Sequence, residues 1–308
     1  MTCAIIGCGN ALPALDVTND HMAQLVETSD EWISKRTGIK SRKVAVEETS
    51  TDLAETASRK ALGWTDGGYA ERTINPEDID LIVFATVTPD VLVPSNAAIL
   101  RRRLGLENAA CFDLNAACSG FVYALTVAES MIAASATASN RSDFKRALVV
   151  AGERPSRITN WADRNTCVLL GDGAGAVVLE YDPSRAGILS TFIANEDDIH
   201  NSLTCPMPFD VVPPFDEDGV NHNAAQATDK SHASIDEELE IAESLEAGAP
   251  RNVLRMNGQQ VFKFSARAMN LAVTEVCKRA GVTLDEIKLI VPHQANERII
   301  DFAARRMH

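Results

Sequence analysis

One cysteine, Cys118, stands between a strand-like and a helix-like part of the chain. Residues 109–114 are apolar and predict a buried strand, and the residues from Phe121 to Ala133 predict a long apolar helix. Cys118 would then lie at a helix N-terminus, where free backbone N–H groups and the helix dipole stabilise a thiolate and lower its pKa. The pattern indicates a nucleophile that can carry an acyl group. A second interpretation stays open, because free cysteine is often a small buried core residue.

A histidine, His293, follows a second apolar stretch. Residues 288–291 predict a strand, so His293 would lie at the carboxyl end of that strand, where the catalytic groups of α/β proteins collect. Taken alone, His293 is equally compatible with a structural hydrogen-bonding role.

The elements that must position these two residues alternate along the chain. Several apolar runs predict buried strands, and a segment rich in serine, threonine and acidic residues predicts a capped helix at 50–63. The predicted strands are 3–7, 80–86, 146–151, 167–170 and 174–180. Tight glycine turns are expected at 7–10 and at 171–173, and neither is a phosphate-binding loop. The alternation of strands and helices indicates an α/β protein.

An acidic segment that leads into an apolar strand occurs twice, at 76–83 and at 284–291. This repeat indicates a duplicated α/β unit, although two such segments can also be similar by chance. We therefore expect an N-terminal half over 1–181 and a C-terminal half over 182–308. The second half contains a polar, acidic stretch at 203–252, which predicts an insertion with one marginal helix. Its role is either a lid or docking surface or a tolerated surface insertion.

The composition excludes several classes of protein. The chain has 308 residues, of which 45% are hydrophobic and 23% charged, and its formal net charge of −14 argues against a nucleic-acid partner. Its seven cysteines show neither a CxxC pair nor zinc-type spacing, which indicates reduced thiols, a cytoplasmic location and no metal site. No run reaches the roughly 18–20 uninterrupted apolar residues of a membrane span, so no membrane partner is predicted.

Five segments, taken in chain order, resemble the β-ketoacyl-acyl carrier protein synthase III family of thiolase-like condensing enzymes. The segments are 28–39, 115–121, 171–176, 256–263 and 291–299. The resemblance implies an α/β fold in which duplicated thiolase-like halves form a five-layered α-β-α-β-α architecture, with the second half incomplete here. It also implies a homodimer.

The resemblance further implies an acyltransferase that initiates type II fatty-acid synthesis. Cys118 would take a short acyl group, such as acetyl, from coenzyme A. His293 would then polarise the thioester carbonyl of malonyl-acyl carrier protein, and decarboxylative Claisen condensation would give 3-oxoacyl-acyl carrier protein. Acyl-CoA and malonyl-acyl carrier protein are substrates, acyl carrier protein is the protein partner, and no metal or redox cofactor is implied.

Two sets of binding residues are carried over from the family. The coenzyme A set consists of Thr28, Trp32, Arg36, Arg157 and Asn296. Trp32 and Arg157 would stack on the two faces of the adenine, and Arg36 would contact phosphate; a core tryptophan is the rival interpretation of Trp32. The set that docks the acidic carrier protein consists of Lys263, Gln294, Ala295, Asn296, Glu297 and Arg298.

The chain departs from the family pattern in two respects. The family's third catalytic residue, an asparagine well after the histidine, has no counterpart up to His308, so we expect a poorly stable chain with weak decarboxylation. Val93 matches an acyl-pocket position that is often phenylalanine, which favours a roomier primer pocket. Two alternative functions stay open: a related condensing or acyl-transfer enzyme of secondary metabolism, and a non-catalytic thiolase-like subunit that binds carrier protein.

Overall fold

The structure is a computed structural model that describes residues 3–137, 144–206, 215–216, 219–220 and 253–307. In chain order the strands are β1 (Cys3–Ala11), β2 (Leu15–Thr18), β3 (Ser41–Val44), β4 (Tyr69–Ala70), β5 (Leu81–Ala85), β6 (Ala110–Leu114), β7 (Arg146–Glu153), β8 (Gly173–Tyr181), β9 (Leu203–Thr204), β10 (Phe215–Asp216), β11 (Gly219–Val220) and β12 (Arg255–Met256). The helices are α1 (Asn19–Met22), α2 (Asp30–Thr37), α3 (Ser50–Ala61), α4 (Asn96–Leu104), α5 (Gly120–Thr137), α6 (Gly258–Ala280) and α7 (Glu297–Ala304). Short 3₁₀ turns lie at Pro76–Asp78, Ala117–Ser119, Pro155–Arg157 and Leu284–Glu286.

A six-stranded mixed sheet in the order β4-β1-β8-β7-β5-β6 is the centre of the fold. Strand β5 pairs in parallel with β6 and with β7, whereas the β7–β8, β8–β1 and β1–β4 pairs are antiparallel. The carboxyl ends of β5, β6 and β7 therefore meet at one edge, which is where ligand sites of open α/β sheets form.

Helices cover both faces of this sheet, as the continuous apolar run of β5 predicts. Ile82 and Phe84 are fully buried in the cluster formed with α3 and α4, and Leu81 and Val83 are fully buried in the cluster formed with α5. This side-chain alternation places three layers, helix, sheet and helix, around the N-terminal half of the chain.

Helix α5 is long and apolar. The segment Ala117–Ala136 has a mean hydropathy of 1.4 and could cross a membrane by length and composition alone. However, Ala124, Ala128 and Ile132 are completely buried against the sheet. The predicted long apolar helix is confirmed, and its packing is that of a core helix.

The first glycine segment, predicted to turn at 7–10, instead continues as strand β1 to Ala11, so that prediction was wrong. The physical reason is close packing against α3. A Cβ atom on Gly7 would lie 2.1 Å from the Ala61 carbonyl oxygen, and one on Gly9 would lie 2.3 Å from that of Ala57. Because Gly7 and Gly9 have no side chains, α3 packs closely against β1 at these positions. The chain does not reverse its direction there.

The strand predicted at 167–170 is also wrong, because these residues form a turn. The Cys167 N–H donates to the Asp163 carbonyl oxygen over 2.9 Å, and the Thr166 hydroxyl donates to the Asp163 carboxylate over 2.8 Å. The apolar character of the segment is explained by packing, since Cys167 and Val168 are buried in one cluster with Met22 and Ile33.

The two copies of the internal repeat share a short turn and differ at the strand that should follow it. Both Pro76–Asp78 and Leu284–Glu286 form a 3₁₀ turn. In contrast to β5, residues 288–291 form no strand, and Leu289 and Val291 are 76% and 79% exposed. No strand within the described ranges pairs with residues 288–291, so their backbone groups form no β-sheet hydrogen bonds.

The predicted insertion at 203–252 lies mostly outside the described residues, and so does its expected helix. Its first two residues form β9, which pairs antiparallel with β12.

Candidate active site

Cys118 lies in the 3₁₀ turn Ala117–Ser119 that leads directly into α5, which confirms its predicted place at a helix N-terminus. Ala117 has a φ of +46°, a left-handed conformation that is costly for a residue with a side chain and is typical of functional turns. The Ala117 N–H donates to the Asn115 side-chain oxygen over 3.4 Å. Cys118 is exposed, which excludes its interpretation as a core cysteine.

The electrostatics at Cys118 differ from the prediction of a lowered pKa. Desolvation of the thiol raises its pKa, the negative charge of Glu153 raises it further, and only the backbone N–H of Cys118 itself opposes them. The 3₁₀ turn separates Cys118 from the first residue of α5. Although Cys118 is exposed, the protein atoms around its sulfur desolvate the thiol, and this effect, with the smaller one of Glu153, outweighs the hydrogen bond from the Cys118 N–H.

His293 lines a cavity of about 590 Å³ at the carboxyl end of β7. The cavity is lined by Ala151, Glu153, Gly173, Ala174, Gly175, His293 and Gln294. Burial lowers the pKa of His293 below its usual 6.5, so the imidazole is held in its neutral form near neutral pH. Glu153 links the two predicted residues, because it shares the cavity with His293 and its charge reaches Cys118.

Glu153 itself was not predicted. It is the last residue of β7, and its carboxylate accepts hydrogen bonds from residues 86–88, which follow β5. Desolvation is the largest influence on this carboxyl and raises its pKa. The signal that could have found it is its position, two residues beyond a predicted strand, at the edge where Cys118 and His293 were already expected.

Trp32, on α2, carries two guanidinium groups over its ring. The Arg36 carbon atom Cζ lies 4.6 Å from the ring centroid and that of Arg164 lies 5.0 Å away. Trp32 is also half-buried against the cluster that contains Met22 and Ile33. The two interpretations of Trp32 therefore coexist, because it is anchored in a small core and still has a cationic partner. Arg164 was missed, since it is distant in sequence.

The other residues of the predicted coenzyme A set differ in their surroundings, and not all of them contact Trp32. The Thr28 hydroxyl oxygen is buried and has no hydrogen-bond partner, a state that usually has a functional or ligand-related explanation. The Arg157 guanidinium instead donates to the Pro89 carbonyl oxygen over 3.1 Å. Among the described ring contacts, Trp32 stacks with Arg36 and Arg164 and not with Arg157.

Asn296 connects the His293 segment to α2. Its side-chain oxygen caps α7 by accepting from the Arg298 N–H over 2.9 Å, and its side-chain amide donates to the Arg36 carbonyl oxygen over 3.2 Å. The contact is tight, because a Cβ atom on Gly38 would lie 2.3 Å from the Glu297 carboxylate. The segment that carries His293 is thereby held against the helix that carries Trp32.

The other predicted docking residues form an accessible group around α6 and α7. Those that are exposed are Lys263, Gln294, Ala295, Glu297 and Arg298. Asn296 is half-buried. Exposure is a requirement for contact with a carrier protein, and five of the six residues meet it.

Two further predictions concern residues beside the cavity. Asp172 accepts hydrogen bonds from the Ala45 N–H at 2.7 Å and the Ser156 hydroxyl at 2.7 Å, so it joins two loops. The tight glycine turn predicted at 171–173 was wrong, because Gly171 and Asp172 are irregular and Gly173 already begins β8. Val93 is 81% exposed and is not among the residues that line the cavity with His293. Within the described ranges, no group of three or more metal-binding side chains is found.

Solved structures with this arrangement identify the class of protein. The chain superposes on 3-oxoacyl-acyl carrier protein synthase III from Aquifex aeolicus VF5 with a TM-score of 0.77 and 35% identity, covering 99% of this chain and 80% of that one. It superposes on the priming β-ketosynthase of the R1128 polyketide biosynthetic pathway with a TM-score of 0.78 and 30% identity, covering 99% and 78%. The fold is that of a thiolase-like condensing enzyme.

Sequence comparison narrows the class to one family. Residues 112–196 match the family model of 3-oxoacyl-acyl carrier protein synthase III. β-Ketoacyl-acyl carrier protein synthase III of Clostridium acetobutylicum is 39% identical over 303 residues, which is 98% of this chain and 80% of that protein. The chain belongs to the β-ketoacyl-acyl carrier protein synthase III family, as the five sequence segments predicted.

Proposed function

We propose that this protein is the condensing enzyme that initiates type II fatty-acid synthesis. In the first half-reaction the Cys118 sulfur attacks a short acyl-CoA thioester. A bond forms between sulfur and the acyl carbon, the bond to the coenzyme A sulfur breaks, and the proton released by Cys118 neutralises the departing thiolate. In the second half-reaction malonyl-acyl carrier protein loses carbon dioxide, and its carbanion attacks the acyl carbon held on Cys118. A carbon–carbon bond forms, the bond between the acyl carbon and the Cys118 sulfur breaks, and the departing thiolate takes up a proton from water to restore the thiol. The product is 3-oxoacyl-acyl carrier protein.

One observation carries this proposal: Glu153 joins Cys118 and His293 at a single edge of the sheet, in a chain of this family. The role of His293 follows from the partial desolvation of its ring, which lowers its pKa and favours the neutral imidazole. A neutral ring can donate an N–H to the enolate oxygen that forms as carbon dioxide leaves. A charged imidazolium would donate a stronger hydrogen bond. However, keeping its positive charge in a desolvated site costs free energy.

The proposal includes a nucleotide platform formed by Trp32 and Arg36, with Thr28, Arg157 and Asn296 as further coenzyme A contacts. A stacked guanidinium beside an indole suits a planar base and its phosphates, because it offers both a π surface and positive charge. The buried Thr28 oxygen without a partner is compatible with a ligand donor. Neither a metal nor a redox cofactor takes part in the proposed reaction.

Lys263, Gln294, Ala295, Asn296, Glu297 and Arg298 are proposed to dock acyl carrier protein. We further propose a cytoplasmic homodimer with halves at 1–181 and 182–308. The six-stranded sheet lies entirely within residues 3–181, which supports that boundary.

A second candidate is a priming enzyme of secondary metabolism. Its support is the likeness to the R1128 priming β-ketosynthase, at 30% identity, together with the small Val93 at a position that the family often fills with phenylalanine. The third alternative, a non-catalytic subunit that binds carrier protein, is disfavoured by an exposed Cys118 in the turn that leads into α5.

Intact mass spectrometry after incubation with acetyl-CoA tests the first half-reaction. We expect the parent protein to gain one acetyl group and Cys118→Ala to gain none. Cys205→Ala is the matched control, since Cys205 is also exposed, and it should label like the parent. Labelling of Cys118→Ala, or no labelling of a folded parent by any short acyl-CoA, would contradict the proposal.

The choice of primer separates the two enzyme candidates. Acetyl-CoA as the preferred donor supports fatty-acid initiation, and a preference for a longer or branched acyl-CoA supports the secondary-metabolism candidate. Formation of 3-oxoacyl-acyl carrier protein from malonyl-acyl carrier protein, followed by mass spectrometry of the carrier, tests the second half-reaction. A folded protein that acylates on Cys118 and releases no condensation product would restrict the activity to acyl transfer.

A further inference from the structure

Asn19 is a buried side-chain amide that contacts both ends of α2. It is the first residue of α1 and is 1% exposed. Its amide nitrogen Nδ2 donates to the Asp30 carboxylate over 2.8 Å and to the Ile39 carbonyl oxygen over 2.8 Å. Asp30 begins α2, and Ile39 follows Gly38, the C-cap of that helix. One side chain therefore holds α2 at its first turn and just beyond its last turn.

Arg42, in β3, extends these contacts to other parts of the chain. It is 5% exposed, and its guanidinium donates to the Asn19 oxygen Oδ1 over 2.8 Å. It also donates to the carbonyl oxygens of Val17 and Val168, each over 3.0 Å. All three acceptors are neutral oxygens, so these contacts depend on the planar fork of the guanidinium. Asn19 and Arg42 together are called the buried polar pair below.

The buried polar pair contacts both chain segments that surround the Trp32 ring. Trp32 and Arg36 come from α2, whereas Arg164, whose Cζ lies 5.0 Å from the ring centroid, comes from the turn at 163–169. Val168, which accepts from the pair, belongs to that turn and is buried in the same small core as Trp32. The relative placement of the indole and its two cationic neighbours therefore depends on the pair.

The hydrogen bonds of Asn19 require an amide. Its Oδ1 faces a guanidinium, which can only donate, and its Nδ2 faces a carboxylate and a carbonyl, which can only accept. An aspartate at this position would keep the contact with Arg42 and lose both contacts with α2. An alanine would lose all of them and leave buried polar groups without partners, which is costly.

We propose that Asn19 is a positioning residue for acyl-CoA binding: its amide fixes α2, and with it Trp32 and Arg36, against the segment that carries Arg164. This inference deepens the proposed function and rests on it in taking Trp32 as a nucleotide contact. Asn19 is buried behind these side chains and acts through their geometry. Displacement of α2 should weaken acyl-CoA binding and leave the chemistry at Cys118 intact, because binding depends on the aligned contact groups.

The rate of Cys118 acetylation, followed by intact mass spectrometry at increasing acetyl-CoA, tests the proposal. It gives a half-saturating concentration and a limiting rate. We expect Asn19→Ala to raise the half-saturating concentration by about three- to tenfold, as for the loss of a buried hydrogen bond, with the limiting rate unchanged. Asn19→Asp should raise it as well, because it breaks the contacts with α2 and keeps the one with Arg42.

Asp80→Ala is the matched control for a general loss of stability. The Asp80 carboxylate accepts from the Lys145 and Arg146 N–H groups over 2.8 Å and 2.9 Å. These contacts lie at the amino ends of β5 and β7, on the sheet edge opposite to Cys118. Urea unfolding should show that Asp80→Ala is destabilised like Asn19→Ala, and its half-saturating concentration should equal that of the parent.

Two results overturn the proposal. One is an unchanged half-saturating concentration in folded Asn19→Ala, and the other is an equal rise in Asp80→Ala. If Asn19→Ala does not fold, Asn19→Asp decides in the same way. Asp30→Ala decides if neither variant folds, because the Asp30 side chain is 52% exposed and its removal breaks the contact of Asn19 with the first turn of α2.

Hydrogen–deuterium exchange needs no substrate, so it separates this proposal from the proposed function. In Asn19→Ala the amides of α2 and of 163–169 should exchange faster than in the parent, and those of α4 should be unchanged. If no acyl-CoA labels the folded parent, the proposed function fails; faster exchange then still supports the positioning of Trp32 and Arg36 by Asn19, and unchanged exchange overturns it. If the parent is labelled and neither measurement changes in Asn19→Ala, the proposed function stands and this proposal fails.

Discussion

His293 gives the sharpest expectation at the scale of single residues. Because its folded-state pKa is lowered below 6.5 by burial, the imidazole stays neutral at pH values where a free histidine is already protonated. The acid limb of malonyl-acyl carrier protein decarboxylation should therefore have its midpoint below pH 6.5. Initial rates against pH measure it, with the exposed His200 changed to glutamine as a control that leaves the limb in place. A midpoint at or above 6.5 contradicts the neutral donor.

The same shift has a consequence for stability. The unfolded chain binds the proton of His293 more readily than the folded protein does, so this group favours unfolding as the pH falls from 6.5 through the lower folded-state pKa. Its contribution to the folded state is fully retained above 6.5.

Single residues also show how far sequence reasoning reaches. Cys118 was predictable because it lies between an apolar strand and a long apolar helix, and both elements form. His293 was selected through an apolar run at 288–291 that forms no strand in the structure. Glu153 and Arg164 were not predictable, because their partners are about 65 and 130 residues away in the chain, and only the folded sheet brings them together. The Cys118 pKa was mispredicted since the charge that raises it comes from another strand.

Helix α2 carries the proposed nucleotide platform, and its N-cap offers a prediction at the scale of elements. The Ser29 hydroxyl accepts from the Trp32 N–H over 3.1 Å. Ser29→Ala should lower the free energy of unfolding by about 1 kcal/mol and raise the KM for acyl-CoA. Ser95→Ala is matched to it, because Ser95 caps α4 in the same way through the Ala98 N–H over 3.2 Å.

Urea unfolding and acyl-transfer kinetics measure the two effects separately. Ser95→Ala should show a similar loss of stability with an unchanged KM. Equal KM values for both variants would mean that the N-terminus of α2 has no part in binding coenzyme A.

Elements buried on two faces were the most predictable. Strands β5 and β7 have continuous apolar sequences because helices lie on both sides of them. The apolar residues at 167–170 gave a false strand, since a turn buried in a small core needs the same composition. The strand predicted at 288–291 was wrong for a different reason. A β-strand forms backbone hydrogen bonds with a second strand, and an apolar sequence alone does not supply that second strand.

Charge distribution is a property of the whole molecule. An acidic carrier protein approaches a chain of net charge −14 against an unfavourable overall field, so local cations decide where it docks. Lys263→Ala should lower kcat/KM for malonyl-acyl carrier protein by about two- to fivefold. Lys278→Ala makes the same charge change on α6 at another exposed position, about 22 Å along the helix, and should have little effect.

Ionic strength distinguishes docking from a local defect. The difference between the two lysine variants should shrink as salt is added, because screening weakens the encounter of exposed charges. If the difference in kcat/KM between the two variants persists at high salt, Lys263 does not act through electrostatic docking of the carrier protein. The strand order of the central sheet was not readable from the sequence, because the antiparallel β1 and β8 enter a sheet whose other long-range pairings are parallel.

The hydrogen bond from Asn296 to the Arg36 carbonyl oxygen joins positions that are 260 residues apart. It sets the segment of His293 directly on the helix that carries the nucleotide platform, with two residues between His293 and Asn296. The His293 imidazole is therefore an internal spectroscopic sensor. When an adenine nucleotide binds at Trp32, the ring-proton NMR resonances of His293 should shift before any carbon–carbon bond is made. Nucleotide binding and the chemical step can then be observed separately.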